Sequence, residues 1–261
     1  MQTGTITRAA CAAAGRAIIS RIACPMTASI AMVILFASSS LAQDPQHGKE
    51  VQPETSAEAI VTRYLDVIGG TDAIKAVKSK QITYQVHMFG RDTYVMESLW
   101  TRPDSKRTGS PGAATYTLTE GARSWRVSPD GRRELPEVVA RSLAKQADID
   151  GPLVDPSQKG VTLSYAGLVN YDMSELHQVT VTFADSVRWE FFFDARTGLL
   201  RKLIQPSFFM LNDQISRGPD VHVYYYDYRA VGSILYPHYL IQISDDHTHL
   251  FVVEDIRVNE Q

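Results

Sequence analysis

The feature that most limits what this chain can fold into is a change of hydrophobic period at Lys80. Beyond it, Ile82, Tyr84, Val86 and Met88 alternate with Gln81, Thr83, Gln85 and His87, the pattern of a strand with one buried face. Strand-like runs then recur at 93–101, 114–119, 124–127, 161–168, 178–183, 188–194, 199–204, 221–231, 235–243 and 250–258. Several junctions carry hairpin chemistry: Glu120-Gly121, Asp130-Gly131 and Ala195-Arg196-Thr197-Gly198. Parallel neighbours need a crossover of a dozen or more residues, and most of these spacers are far shorter, so the runs predict an antiparallel meander.

Helical periodicity is confined to three places. Thr55 and Glu58 form a capping-box pattern ahead of Ile60, Tyr64, Val67 and Ile68, and Gly69-Gly70 supplies the stop. A short turn opened by Thr71-Asp72 carries Ile74 and Val77. An insert over 136–147 has Pro136 in its first turn and Val138, Val139, Leu143 and Ala147 as its apolar positions. Asp148-Ile149-Asp150-Gly151-Pro152 ends that insert and begins a loop to Gly160. The expected class is α+β: a strongly curved antiparallel sheet, an incomplete β-barrel closed by a few helices.

Residues 1–42 carry Arg8, Arg16 and Arg21 and no acid, then an apolar run from Met26 to Ala37, then Ser38-Ser39-Ser40-Leu41-Ala42. Basic, apolar and small in that order is a secretory signal, with cleavage expected after Ala42. A helix of about 12 residues rises only ~18 Å, short of the ~30 Å hydrocarbon core, so no permanent membrane span is expected. A retained amphipathic anchor is the alternative, and lipidation at Cys24 is disfavoured by Arg21 just upstream. The expected organisation is a signal at 1–42, a polar leader at 43–54 and one domain at 55–261, working in the periplasm. Both cysteines, Cys11 and Cys24, fall in the removed segment, which leaves the mature chain without disulfides or thiol chemistry. Loss of three of the 26 basic residues sets 23 against 29 acidic ones and moves the formal charge from −3 to about −6. That balance argues against nucleic acid as a partner.

No Gly-x-Ser-x-Gly elbow or other nucleophile motif is present, so no catalytic residue is assigned and no cofactor is expected. Asp245-Asp246-His247-Thr248-His249 clusters carboxylates and imidazoles at a spacing that can chelate zinc or copper. It sits where the meander needs a turn, which makes a solvated hairpin tip the simpler reading, and no metal site is assigned. Asp148, Asp150 and Asp155 lack the further ligands of a calcium loop and read as solvated or capping groups. Among the aromatics, alternation places Trp189, Phe191 and Phe193 on one face of a strand, and Tyr224, Tyr226 and Tyr228 on one face of another with Tyr225 opposite. Ordinary core packing explains either set. Phe208-Phe209-Met210-Leu211, in a region holding Pro206, Asn212 and Gly218, reads as an irregular apolar loop suited to a lid.

Four stretches, 57–77 (AEAIVTRYLDVIGGTDAIKAV), 100–108 (WTRPDSKRT), 147–160 (ADIDGPLVDPSQKG) and 224–238 (YYYDYRAVGSILYPH), resemble the outer-membrane lipoprotein-sorting protein superfamily, which includes LolA- and LolB-like periplasmic carriers. The resemblance implies a half-barrel whose apolar cavity accepts an acyl chain or another lipid-like group, with the helices at 55–68 and 136–147 as lid elements. In the lipoprotein carrier an arginine on the sheet holds the lid, and no local motif assigns that residue here. The candidates for the cavity lining are Tyr84, Val86, Met88, Trp100, Trp189, Phe191, Phe193, Phe208, Phe209, Tyr224 and Tyr226. The expected function is a non-enzymatic carrier or binding protein for a lipid or an acylated lipoprotein. An envelope-stress sensor or scaffold that contacts an envelope protein is the alternative, and a hydrolase or metal-dependent enzyme around His247 and His249 is the third reading.

Overall fold

The computed structural model describes residues 55–89, 93–211, 214–245 and 247–260, so the expected signal and leader at 1–54 lie outside it. Helix α1 (Ala57–Val67) and a single turn α2 (Thr71–Lys75) precede six strands: β1 (Ser79–Met88), β2 (Tyr94–Thr101), β3 (Ser105–Gly109), β4 (Tyr116–Glu120), β5 (Arg123–Ser128) and β6 (Gly131–Glu134). Helix α3 (Glu137–Ala147) and a 3₁₀ turn at Pro156–Lys159 lead to β7 (Thr162–Tyr171), β8 (Ser174–Thr182), β9 (Arg188–Asp194) and β10 (Leu200–Gln205). A hairpin of β11 (Phe208–Leu211) and β12 (Gln214–Arg217) stands apart from the sheet, and β13 (Val221–Val231), β14 (Ile234–Ser244) and β15 (His247–Val258) complete it.

Thirteen strands form one curved, open antiparallel sheet in the order β6-β5-β4-β3-β2-β1-β15-β14-β13-β10-β9-β8-β7. Two meanders are therefore zipped together where β15 returns to pair with β1. Edge strands β6 and β7 are consecutive in sequence but lie at opposite margins, so residues 135–161 have to run from one margin to the other. Helix α3 lies on that path and packs on β3, β4 and β5. Among the described residues no helix is long and apolar enough to cross a membrane.

Two of the missed strands, β3 (SKRTG) and β6 (GRRE), contain no large apolar residue, so hydrophobic alternation had nothing to report. The other two form the β11–β12 hairpin, a correction to the irregular loop expected there: Leu211 pairs with Gln214 across a two-residue connection. Cross-strand pairing outweighed the local breakers Pro206 and Gly218, which fall outside the paired residues; Asn212 lies outside the described residues.

Helix α1 starts one residue later than the capping box suggested, with Ser56 Oγ accepting from the Ala59 amide at 3.1 Å. Its buried face, Ala57, Ile60, Val61 and Leu65, packs with Ile68 on Val179, Val181, Phe191, Phe193 and Leu203 of the sheet. Val67, expected on that face, is 37% exposed and lies outside the core. The Arg63 guanidinium pins the helix by donating to Ala195 O (2.9 Å) and Arg196 O (2.7 Å) in the β9–β10 turn. At the other end Gly69 (φ 129) lets the chain touch the β13–β14 turn, where a Cβ would stand 2.3 Å from Ser233 O. The Leu235 amide donates to Ile68 O at 2.9 Å across the same contact.

Candidate functional site

A cavity of about 380 Å³ lies between α1, the loop at 148–153 and the inner face of the sheet. Helix α1 contributes Tyr64 and Leu65, and its C-cap Ile68; β9 contributes Trp189 and Phe191; β10 contributes Leu200 and Leu203. Tyr225 and Tyr228 come from β13, and Leu235, Tyr236 and Pro237 from β14. The size falls within the ~300–1,000 Å³ of small-molecule sites, toward the lower end. A second cavity of about 460 Å³ lies under α3, lined by Leu135, Val139, Leu143, Thr117, Thr119 and Arg126 among others, and the two share Lys106 and Gln146.

The sequence-predicted lining residues divide by place. Trp100, Trp189 and Phe191 border the first cavity. Phe193 is fully buried behind it, 5.1 Å from the Tyr64 ring and 6.2 Å from Phe191. Tyr84 and Val86 belong to an adjoining apolar cluster with Ile82 and Val253, which meets the main core through Trp100 and Leu240. Met88 ends β1 opposite His249, away from either cavity. Phe208 lines a smaller depression of about 120 Å³ with Val138 and Trp189, and the side chain of Phe209 lies outside the described part.

Tyr224 and Tyr226 are not at the cavity. Tyr224 packs on Tyr171 (5.7 Å) with Lys202 Nζ 5.2 Å over its ring, and Tyr226 lies between Tyr239 (6.0 Å) and Arg201 (5.0 Å). Tyr225 and Tyr228 take the inner positions instead, three residues apart, because Asp227 at φ 54 interrupts the extended backbone and breaks the alternation. The Tyr228 hydroxyl donates to Leu200 O at 2.8 Å. Burial raises the phenols of Tyr64, Tyr225 and Tyr228 above the ordinary tyrosine range, so each enters the lining as a neutral group.

Sheet register explains the polar side of the cavity. Val258, Lys80, Trp100, Lys106, Thr119 and Ser124 are successive cross-strand partners from β15 through β5, and directly paired residues share a face. Lys80 Nζ stands 4.6 Å and Lys106 Nζ 4.5 Å from the centre of the Trp100 ring. The indole N–H donates to Gln146 O at 3.0 Å, tying β2 to the end of α3. Burial pushes both lysines down to about 8; the Asp150 and Asp148 charges partly oppose this for Lys80, while the Lys80 charge adds to it for Lys106. Each side chain is partly exposed and faces the cavity.

The nearby carboxylates already have partners. Of the carboxylates expected to be solvated or capping, Asp150 receives two hydrogen bonds from Arg102 (2.8 and 2.5 Å), and Asp148 accepts from the Asp150 amide at 3.1 Å and pairs with Lys159 at 2.6 Å. Asp155 pairs with Lys75. Arg102 also donates to Val77 O (2.6 Å) and Ile74 O (3.2 Å), so one guanidinium at the end of β2 holds the loop and the α2 region together. Its proton affinity is raised, first by the hydrogen bonds to Asp150. Lys145 reaches Asp185 at 2.6 Å and fixes α3 to the β8–β9 turn. Lys80 and Lys106 have no carboxylate within 4.0 Å among the described residues.

His247 is exposed beside the β14–β15 turn, and His249 sits within β15, its ring 6.3 Å from Phe251. The described residues contain no group of three His, Cys, Asp or Glu placed to hold a metal ion; Asp246 lies outside them.

Sequence reasoning missed the two lysines. Lys80 marked only the change of period, and Lys106 falls in a strand without apolar residues. A polar residue on the buried parity of a strand was the available signal: Lys80 is in phase with Ile82, Tyr84 and Val86.

No family model matches the sequence, and no curated protein matches it. Solved structures match the fold. A LolA superfamily protein from Nitrosomonas europaea superposes with a TM-score of 0.53 at 11% identity, over 79% of this chain and 95% of that one. A DUF1329 family protein from Desulfovibrio piger gives 0.52 at 9% identity, over 78% and 93%. A domain from Vibrio parahaemolyticus assigned to outer membrane lipoprotein sorting gives 0.50 at 10% identity, over 78% and 92%.

Proposed function

We propose that this chain, which has the fold of the LolA superfamily structure, is a periplasmic, non-enzymatic carrier or binding protein that shields a lipid or lipoprotein acyl group in its inner cavity. The observation that carries the reading is the cavity of about 380 Å³ walled by Leu65, Ile68, Trp189, Phe191 and Leu203. Burying a 12-carbon chain at ~0.8 kcal/mol per CH₂ gives roughly 10 kcal/mol gross, and the costs of association remove much of it. Micromolar affinity follows, tight enough to hold a lipid and loose enough to release it.

In this reading α1 and α3 close the half-barrel. Entry requires α3 and the loop at 148–153 to move from the sheet, and the contacts Trp100 to Gln146, Arg102 to Asp150 and Lys145 to Asp185 resist that motion. Arg102 is then the sheet-side arginine that holds the cover in place.

The alternative, a sensor or scaffold for an envelope protein, draws on the β7–β8 turn, where Met173 is fully exposed beside the partly exposed Tyr171. Native mass spectrometry of protein purified from periplasm separates the two. The carrier reading expects a co-purifying lipid that is lost on solvent extraction; protein that never retains lipid and takes up none from vesicles would sink it.

A further inference from the structure

The geometry points to a ligand that is an anionic single-chain amphiphile, its acid group held by Lys80 and Lys106 on the two neighbours of Trp100 and its hydrocarbon laid against Leu65, Trp189 and Leu203. This rests on the carrier reading and narrows it from a lipid in general to one with a carboxylate or phosphate head.

Two ammonium groups, on the strands that flank β2, share the indole ring of Trp100 at 4.6 and 4.5 Å, and both border the cavity. Their placement is unfavourable in the protein alone. Each loses hydration, each repels the other, and the carboxylates that could compensate are bound to Arg102 and Lys159. Trp100 offsets part of the cost through cation–π attraction, but an indole face is a weaker partner than a carboxylate. An acid group bound beside the ring would offset both charges at once. An apolar wall for the chain lies across the same cavity, which suits one molecule with both parts. A neutral lipid would leave the ammonium groups as they are and gain nothing from them.

The test uses the mature chain with three 12-carbon ligands, dodecanoate and dodecyl phosphate kept below their micelle concentrations and dodecanol below its solubility limit, with affinity read by calorimetry at pH 7. The expected result is that one or both acids bind roughly 10- to 100-fold tighter than the alcohol, the factor for a hydrogen bond to a charged group. K80M/K106M should remove that preference while dodecanol binding persists, and K106R, which keeps the charge, should retain it. Inorganic phosphate should fail to displace dodecyl phosphate at equal concentration; displacement would mean a simple anion site and overturn the amphiphile. Equal binding of acids and alcohol by the wild type, or a preference that survives in the double variant, overturns the lysine assignment and leaves the carrier reading standing. Failure of all three ligands to bind overturns both.

Discussion

Replacing Lys106 by Met should make the protein more stable, an unusual outcome for a change in a folded interior. The magnitude follows from the ammonium group's surroundings. Its proton affinity falls from 10.5 to about 8 in the folded chain, mainly through burial and then through the Lys80 charge. At about 1.4 kcal/mol per pH unit, that gap corresponds to roughly 3 kcal/mol of destabilisation at neutral pH. Loss of the contact with Trp100 gives back ~0.5–2 kcal/mol, and a methionine sulfur near the ring recovers some of it. The net expectation is a gain of about 1–3 kcal/mol, at roughly 2–4 °C in Tm per kcal/mol for a domain of this size. The assay is paired thermal and urea unfolding of wild type and K106M at several pH values. Below about 8 both native and unfolded chains hold the proton, and the native state bears the full cost. Between about 8 and 10.5 the unfolded chain holds a proton that the native chain has released, so wild-type stability rises with pH and the advantage of K106M shrinks. Lys80 titrates in the same window, and Asp148, Asp150, Arg102, Lys145 and Tyr236 are the other charged or titratable groups at this end of the cavity. Phenols raised by burial, Tyr64, Tyr84, Tyr225 and Tyr228, act in the opposite sense above pH 10 and do so in both proteins, so the difference between them is the quantity to read. A variant less stable than wild type at pH 7, or a difference that stays constant from pH 7 to 10, would refute the reasoning.

Four other outcomes are expected. R102A leaves Asp150, whose side chain is 12% exposed, without its partner, and should lower stability by about 2–4 kcal/mol in urea unfolding while making the loop at 148–153 more sensitive to protease. F208S should cost less than the ~3–5 kcal/mol of a fully buried Phe→Ala change, because that ring is only half-buried beside Trp189, and should weaken binding of an apolar fluorescent probe if the hairpin helps cover the cavity. H247A should shift the unfolding midpoint by less than about 0.5 kcal/mol, and a stoichiometric zinc lost in this variant would reopen the metal reading. N-terminal sequencing of periplasmic material should begin at or near Gln43; acylated Cys24 in the membrane fraction would contradict export as a soluble protein.

The legible part of this fold was the part whose residues alternate. Arg188–Asp194 and Val221–Val231 are strands with the expected bounds, because large apolar or aromatic residues recur along them and turn chemistry brackets them. The Ala195-Arg196-Thr197-Gly198 turn also formed as read, with Asp194 Oδ1 accepting from the Arg196 and Thr197 amides at 3.1 and 2.7 Å. Strands β3 and β6 were invisible because neither carries a large apolar residue, and their cross-strand contacts, such as Arg123 to Glu134 and Ser98 to Thr108, are polar. Local reading could not show that Asp150 and Asp155 each meet a cation from a distant segment, Arg102 and Lys75. Those pairs depend on the path of residues 135–161 between the two margins of the sheet, a consequence of topology.

The site was half legible for a related reason. Trp189 and Phe191 face the cavity as period-2 alternation requires, whereas the tyrosine-rich strand follows that rule only as far as Asp227. One residue with positive φ moves Tyr228 to the side of Tyr225, while alternation alone does not say which face of the strand is the inner one, and the candidates Tyr224 and Tyr226 lie on the face that packs elsewhere. Lysines 80 and 106 show the opposite case. Alternation does place Lys80 on the inner face, but a charged residue at the end of a strand is ordinarily assigned to solvent. What makes the pair informative is the register of three strands, which sets Lys80, Trp100 and Lys106 side by side although their numbers span 26 residues. A pair of like charges at the cavity wall, with no carboxylate bound to either, costs stability that Met would not, and an acid-headed ligand is the partner that the charge, the ring and the adjoining apolar wall fit together.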